Sequence, residues 1–156
     1  MPKALTAGES APSFELPTDG GGTVSLADCL GKPVVVYFYP KDDTSGCTKQ
    51  AIGFTEHKPE FDAAGAMIIG ISPDSPKKHD KFKEKYDLGI LLAADEEKET
   101  ATAYGVWVEK SMYGRKYMGI ERSTFLVDKD GKLARIWRKV KVPGHVEEVL
   151  EAVGAL

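Results

Sequence analysis

Residues 32–40 read KPVVVYFYP, and this stretch decides the fold. Its β-branched and aromatic side chains follow one another without the polar alternation of a strand that faces water on one side. Such a run predicts a central strand that is covered on both faces. Pro40 ends the strand because it has no backbone N–H to donate to a neighbouring strand.

The segment after this strand predicts a polar loop and then a helix. Apolar residues from Ala51 to Phe61 recur at helical spacing, which predicts a helix over residues 47–64. Pro59 is expected to kink or break that helix because it removes one of its hydrogen bonds. The sequence therefore places Cys47 where a buried strand gives way to a helix.

Strands and helices alternate along the rest of the chain. The turn-rich stretch 17–22 separates two short apolar runs, which predicts a β-hairpin, and Ser25 can cap a short helix that ends near Leu30. Further strands are predicted over 66–71, 88–93, 123–127 and 133–137, and further helices over 75–86, over 96–104 and from near Gly144. This order predicts an α/β, thioredoxin-like fold, in which helices flank a mixed central β-sheet and an N-terminal β-hairpin precedes it.

The composition is that of a single domain spanning residues 1–156. Hydrophobic residues make up 42% of the chain and charged residues 29%, and no apolar run is long enough to cross a bilayer. A formal net charge of -3 and a pI near 5.7 provide no basic field for nucleic acid. The first residues lack the apolar region of a secretion signal, so we expect a cytoplasmic protein with no nucleic-acid or membrane partner.

Cys47 is the first candidate for chemistry. Unpaired amide N–H groups and the positive end of the helix dipole stabilise a thiolate at the start of a helix, and a thiolate is a strong nucleophile. The alternative is a small buried hydrophobic residue, which is the commonest role of a free cysteine. The position of Cys47 alone does not decide between the two.

Three neighbours of Cys47 fit a reactive site. The hydroxyl of Thr44 could donate to the sulfur and later to a substrate oxygen. Pro40 would shield the sulfur from bulk water and fix the entry of the loop. Gly46 would let the backbone come close enough for its amide to face that substrate oxygen.

Residues 40–47 read PKDDTSGC and fit the pattern P-x-x-x-T-x-x-C. This pattern resembles the active-site signature of the peroxiredoxins. The string FYPKDDT over residues 38–44 is similar to the subgroup called bacterioferritin comigratory protein or peroxiredoxin Q. Further stretches that resemble this subgroup are 8–14, 104–115 and 119–125, so the resemblance covers nearly the whole chain.

The resemblance implies a further site residue, Arg122, because in the family the arginine of this segment reaches the active-site sulfur. A fixed guanidinium can stabilise a thiolate and the charge that develops on oxygen as an O–O bond breaks. An arginine considered alone would more often form a surface ion pair. Gln50, one helical turn after Cys47, either orients Arg122 or faces solvent.

A resolving cysteine is missing from both places where relatives in this subgroup carry one. The position five residues after Cys47 is Ile52, and the predicted helix over 75–86 contains no cysteine. Cys29 is the only other thiol, and we interpret it as a buried structural residue, with a part in resolution as the alternative. The sequence therefore favours a one-cysteine mechanism with an external thiol from thioredoxin, glutaredoxin or a small molecule.

The resemblance implies an antioxidant thiol peroxidase that reduces hydrogen peroxide and organic hydroperoxides at Cys47 without a cofactor, as a monomer or weak dimer. One alternative is a peroxide sensor that passes the oxidation of Cys47 to a partner protein as a mixed disulfide. Another is a structural domain without redox activity, which the four site residues Pro40, Thr44, Cys47 and Arg122 disfavour. Neither a metal nor a nucleotide motif is present, and the three histidines are interpreted as solvated helix positions: His57, His79 and His145.

Overall fold

A computed structural model describes residues 5–156. Its strands, numbered in chain order, are β1 (Glu15–Pro17), β2 (Thr23–Ser25), β3 (Val34–Phe38), β4 (Met67–Ser72), β5 (Leu91–Ala94), β6 (Trp107–Met112), β7 (Arg115–Ile120), β8 (Ser123–Val127) and β9 (Leu133–Trp137). Its helices are α1 (Leu26–Cys29), α2 (Ser45–Glu56), α3 (Lys58–Ala63), α4 (Pro76–Tyr86), α5 (Glu99–Ala103) and α6 (His145–Gly154).

The central sheet has five strands in the order β5-β4-β3-β8-β9. β3 lies in the middle, parallel to β4 and antiparallel to β8. β4 and β5 are parallel, whereas β8 and β9 form the predicted antiparallel hairpin. The sheet is therefore mixed, and β3 is buried along its whole length, as the sequence predicts.

Two apolar clusters cover the two faces of this sheet. Successive side chains of a strand point to opposite faces, so Val34, Val36 and Phe38 join one cluster. Val35 and Tyr37 join the other. The first cluster also contains side chains of β2 and α1, and the second contains side chains of α2, α3, α4 and α6. The elements on either side of β3 are thus separated by the sheet.

The N-terminal β-hairpin is confirmed. β1 and β2 pair antiparallel, and Asp19–Gly21 forms a short 3-10 turn between them. The Ser25 side chain accepts a hydrogen bond from the Asp28 backbone N–H, which caps α1 as predicted. This cap gives a partner to a backbone N–H that the first turn of α1 leaves unpaired.

The predicted helix over residues 47–64 is two helices. α2 begins at Ser45, so Cys47 lies within its first turn, and α2 gives way to α3 at His57. Pro59 lies in the first turn of α3, where the missing N–H of a proline costs no hydrogen bond. The predicted helix over 96–104 is also shorter, since α5 begins only at Glu99.

The sequence analysis missed the hairpin of β6 and β7. These strands pair antiparallel and are joined by Tyr113 and Gly114, which have φ values of 53° and 77°. Both residues of a type I′ turn need a positive φ. Most side chains of β6 and β7 are at least partly exposed, so neither strand carries the apolar run that identified β3.

Among residues 5–156, no helix is both long and apolar enough to span a membrane.

Candidate active site

Cys47 lies in the first turn of α2, just beyond the end of β3. Thr44 is the N-cap residue, with the extended backbone that precedes a helix. The backbone N–H of Thr48 donates to the Thr44 carbonyl at 2.8 Å, so a helical hydrogen bond at the start of α2 spans Cys47. The Cys47 side chain is only 2% exposed. Its sulfur therefore lies at a helix N-terminus, in a residue that is almost completely covered by protein.

Arg122 brings its guanidinium to this sulfur. Its Nη2 donates to Cys47 Sγ at 3.1 Å, and its Nη1 donates to Gln50 Oε1 at 2.6 Å. Arg122 lies between β7 and β8, and its backbone carbonyl accepts from the Val140 N–H at 2.9 Å. Among the described residues no carboxylate pairs with this guanidinium. Its charge is thus directed at the sulfur.

Gln50 is fully buried, which decides between the two interpretations of this residue. Its side chain holds Arg122 rather than facing solvent. Because Gln50 lies one turn after Cys47 on α2, the same helix carries the sulfur and the residue that orients the guanidinium.

Gly46 makes room for the guanidinium. A Cβ at this position would lie 3.2 Å from Arg122 Nη2, which is closer than most real Cβ contacts. A larger residue would push Arg122 away from Cys47. The structure thus gives a steric reason for glycine here, whereas the predicted approach of its amide to a substrate oxygen stays a prediction.

The Thr44 hydroxyl does not bond to the sulfur as predicted. It donates to the Lys41 carbonyl at 2.8 Å. A hydroxyl that donates a hydrogen bond to a carbonyl can still accept hydrogen bonds through the lone pairs of its oxygen. The Thr44 hydroxyl can therefore still accept a hydrogen bond, and its predicted part in binding a substrate oxygen stays a prediction.

Pro40 lies at the surface where β3 ends, and Thr44 is exposed as well. These two residues frame the outside of the loop that leads into α2. Whether Pro40 shields the sulfur from water stays a prediction.

Cys29 lies on the other side of the central sheet. It belongs to the cluster of β2 and α1, whereas Cys47 belongs to the cluster of α2 and α4. Both thiols are free. They also lie at opposite ends of β3, since Cys29 precedes the strand and Cys47 follows it. A disulfide needs Cα atoms within about 7 Å, so two thiols on opposite faces of the sheet are poorly placed to pair.

Two histidines were interpreted wrongly from the sequence. His79 is fully buried and His145 is only 4% exposed, so neither is a solvated helix position. Burial lowers the pKa of His145 to about 4, and its Nε2 lies 2.8 Å from Thr124 Oγ1. This imidazole is neutral at physiological pH. No group of three or more metal-binding side chains forms within residues 5–156.

Among known protein families, the model of the AhpC/TSA family matches residues 7–136 of this chain. The chain belongs to this family. Peroxiredoxin Bcp of Bacillus subtilis is 53% identical over 146 residues, which cover 94% of this chain and 93% of that protein. The match confirms the resemblance to the peroxiredoxins, and the chain is a peroxiredoxin enzyme.

Solved structures of related proteins have the same fold as this chain. Peroxiredoxin Q of Xylella fastidiosa has a TM-score of 0.93 at 36% identity, with 98% of each chain covered. The bacterioferritin comigratory protein of Xanthomonas campestris, whose activity is alkyl peroxide reduction, has a TM-score of 0.88 at 44% identity and covers 91% of this chain and 90% of its own. These neighbours confirm the thioredoxin-like fold and place this peroxiredoxin in the predicted subgroup.

Proposed function

We propose that this peroxiredoxin reduces hydroperoxides at Cys47 through a sulfenic acid and is recycled by an external thiol. The observation that carries the proposal is the 3.1 Å contact between Arg122 Nη2 and Cys47 Sγ. A guanidinium at this distance stabilises the thiolate, and the thiolate is the form that attacks a peroxide.

In the proposed reaction, Cys47 Sγ attacks one oxygen of the peroxide. An S–O bond forms as the O–O bond breaks, so the sulfur is oxidised to a sulfenic acid and the peroxide is reduced. The leaving oxygen takes a proton and departs as water or an alcohol. Negative charge develops on that oxygen, and Arg122, whose guanidinium contacts the attacking sulfur, would stabilise it.

The loop before α2 would hold the substrate. The Thr44 hydroxyl would accept a hydrogen bond from the peroxide O–H, since it already donates to the Lys41 backbone carbonyl. Gly46 would contribute its backbone amide as a donor, and Pro40 would limit the access of water. Together these contacts align the O–O bond with the sulfur, which is how an enclosed site accelerates a displacement.

Recycling would need a second molecule, because the structure keeps Cys29 away from Cys47. An external thiol condenses with the sulfenic acid to form a mixed disulfide and water, and a further thiol then releases reduced Cys47. Thioredoxin, glutaredoxin or a small thiol would serve as reductant. Organic hydroperoxides are proposed as substrates beside hydrogen peroxide, since alkyl peroxide reduction is the activity of the X. campestris relative.

The test compares the two cysteine variants. Cys47→Ser is expected to abolish peroxide consumption, whereas Cys29→Ser should keep the rate constant of the wild type within about twofold. Mass spectrometry after one equivalent of peroxide should find a sulfenic acid, trapped with dimedone, on Cys47. Peroxide consumption by Cys47→Ser would refute the proposal. A Cys29–Cys47 disulfide as the main product would refute only the one-cysteine mechanism.

A further inference from the structure

A buried polar network lies beneath the loop that leads to Cys47. Asp42 is buried, with 9% of its surface exposed, and both oxygens of its carboxylate have hydrogen-bond partners. Oδ1 accepts from the Tyr39 hydroxyl, and Oδ2 lies 2.7 Å from His79 Nδ1. The Asp42 backbone N–H donates to Asp74 Oδ2 at 2.7 Å. This single loop residue is therefore tied to the end of β3, to α4 and to the loop between β4 and α4.

His79 is the member of this network that the proposed reaction leaves unexplained. It is fully buried in α4, and its Nε2 lies 3.0 Å from the Ala93 carbonyl of β5. A carbonyl only accepts, so Nε2 must carry a hydrogen. Nδ1 faces the Asp42 carboxylate at 2.7 Å, so the two side chains are joined by a hydrogen bond. Such a hydrogen bond is strong in a buried site.

α4 also holds the loop from outside. Asp43 has a positive φ of 60° and turns its carboxylate toward the surface. There it accepts from the Tyr86 hydroxyl, and Lys85 Nζ lies 2.8 Å from its Oδ2. The exposed contact is weaker because water competes for it. Of the two attachments to α4, the buried one at Asp42 therefore contributes more.

The position of Asp42 controls the position of Thr44. The Thr44 hydroxyl donates to the carbonyl of Lys41, the residue directly before Asp42. If Asp42 moves, that carbonyl moves with it, and the lone pairs of Thr44 turn away from the substrate. The Cys47 side chain is 2% exposed, so the same loop must also shift before an external thiol can reach the oxidised sulfur.

We propose that His79 is a positioning residue, which through Asp42 holds residues 40–44 in the arrangement that reduces peroxide. The contact favours the peroxide step and restrains the exposure of Cys47 that the thiol step needs. The inference rests on the proposed function of Cys47. It adds that a histidine on the far side of the loop sets the balance between these two steps.

Two amide variants of His79 distinguish its contact with Asp42 from its contact with the Ala93 carbonyl. His79→Asn places an amide N–H where Nδ1 lies and can still bond Asp42, whereas His79→Gln places its amide near Nε2 and keeps only the Ala93 contact. We expect His79→Gln to lower the rate constant of Cys47 oxidation by roughly ten- to a hundredfold, as small misplacements at an active site do. His79→Asn should recover most of that loss.

The second measurement is the rate at which dithiothreitol reduces the oxidised Cys47. In His79→Gln this rate should be unchanged or faster, because the loop opens more easily. A purely structural role would slow both steps together. His57→Ala is the matched control, since the side chain of that half-buried histidine pairs with Glu60 and Glu147 rather than with Asp42.

Equal oxidation rates in His79→Gln and His79→Asn would overturn the inference, as would a parallel loss of both steps. If neither variant folds, Asp42→Asn decides, because its amide has the size of the carboxylate and can still bond both Tyr39 and His79. It should retain more than about a tenth of the wild-type oxidation rate, and a larger loss contradicts the positioning role. Failure of the wild type, or activity in Cys47→Ser, would instead refute the proposed function.

Discussion

Cys29 and Cys47 are nearly equally buried, with side chains 3% and 2% exposed, yet their surroundings differ. The Cys29 thiol donates to the Ser25 carbonyl at 3.3 Å, a contact that needs the sulfur to keep its proton. Cys47 accepts an N–H from the Arg122 guanidinium, a contact that favours the sulfur without its proton. Burial therefore does not separate the cysteine proposed to react from the one interpreted as structural, whereas the bonding partners of the two sulfurs differ.

The central strand also separates them. Cys29 lies before β3 among the side chains of one face, and Cys47 lies after β3 among those of the other. One sheet thus separates the thiol proposed to react from the thiol interpreted as structural. For a proposed one-cysteine mechanism this separation has a cost, because the sulfenic acid has no internal partner.

Excess peroxide should give the largest difference between the two cysteines. Without reductant, a second peroxide can attack the waiting sulfenic acid, so we expect Cys47 to become sulfinic and then sulfonic acid while Cys29 stays reduced. Added thiol should protect Cys47. Peptide mass spectrometry after a peroxide titration checks both statements, and extensive oxidation of Cys29 in the folded protein would contradict the comparison.

Ile52→Cys supplies the missing partner as a control. Both positions lie on α2, so a disulfide requires its first turn to unwind. If that turn opens after oxidation, this variant should form an internal disulfide and resist overoxidation. Unchanged overoxidation would show that the turn stays closed.

Arg122→Ala should lower the reactivity of Cys47 and so make it more similar to that of Cys29. Removal of one preorganised donor costs about a hundredfold or more in rate at comparable sites, and we expect a loss of that size in peroxide reduction. Iodoacetamide labelling of Cys47 at neutral pH should slow as well, because the thiolate loses its cation. Arg135→Ala, which removes an exposed ion pair with Glu148 and a cation–π contact with Trp137, is the matched control. Equal loss in both variants would remove the guanidinium from the proposed site.

Much of this comparison follows from the sequence. The β-branched run of β3 identifies the buried strand, and the motif after it identifies Cys47 and Thr44. The place of Arg122 followed from the family resemblance, because its segment lies 75 residues beyond the sulfur it contacts. Periodicity predicts which face of a strand or helix is apolar, but it does not predict which distant side chain arrives there.

The errors have the same origin. His79 lies in a lysine-rich helix, so its neighbours along the chain indicate solvent, and its carboxylate partner comes from a loop 37 residues away. The direction of the Thr44 hydrogen bond depends on the carbonyl of Lys41 and thus on how the loop turns. The hairpin of β6 and β7 is exposed and has no apolar run to mark it.

The pH dependence of Cys29 sharpens the comparison at a smaller scale. Burial raises the pKa of the Cys29 thiol above its ordinary value of 9.0, with Lys32 opposing the shift and Asp28 adding to it. Since the thiolate is the reactive form, labelling of Cys29 should be slow at neutral pH and increase as the pH rises toward and beyond 9.0. At pH 8 we expect labelling at least about tenfold slower in the folded protein than in guanidinium chloride. Similar rates in the two states would show that Cys29 is accessible.

The smallest expected effect is that of Cys29→Ser on stability. Cys29 belongs to the apolar cluster that includes Phe14, Val24 and Leu26, and a hydroxyl is less favourable in such surroundings. The serine can still donate to the Ser25 carbonyl, which limits the loss to about 1 kcal/mol in the free energy of unfolding. Cys29→Ala, which leaves a small void and no polar group, should cost about the same. Urea unfolding measures both variants, and peroxide kinetics on the same samples test whether the sheet isolates the two sites. A change of more than about tenfold in the peroxide rate constant from either substitution, equivalent to about 1.4 kcal/mol in the barrier, would mean that the two faces are coupled through β3.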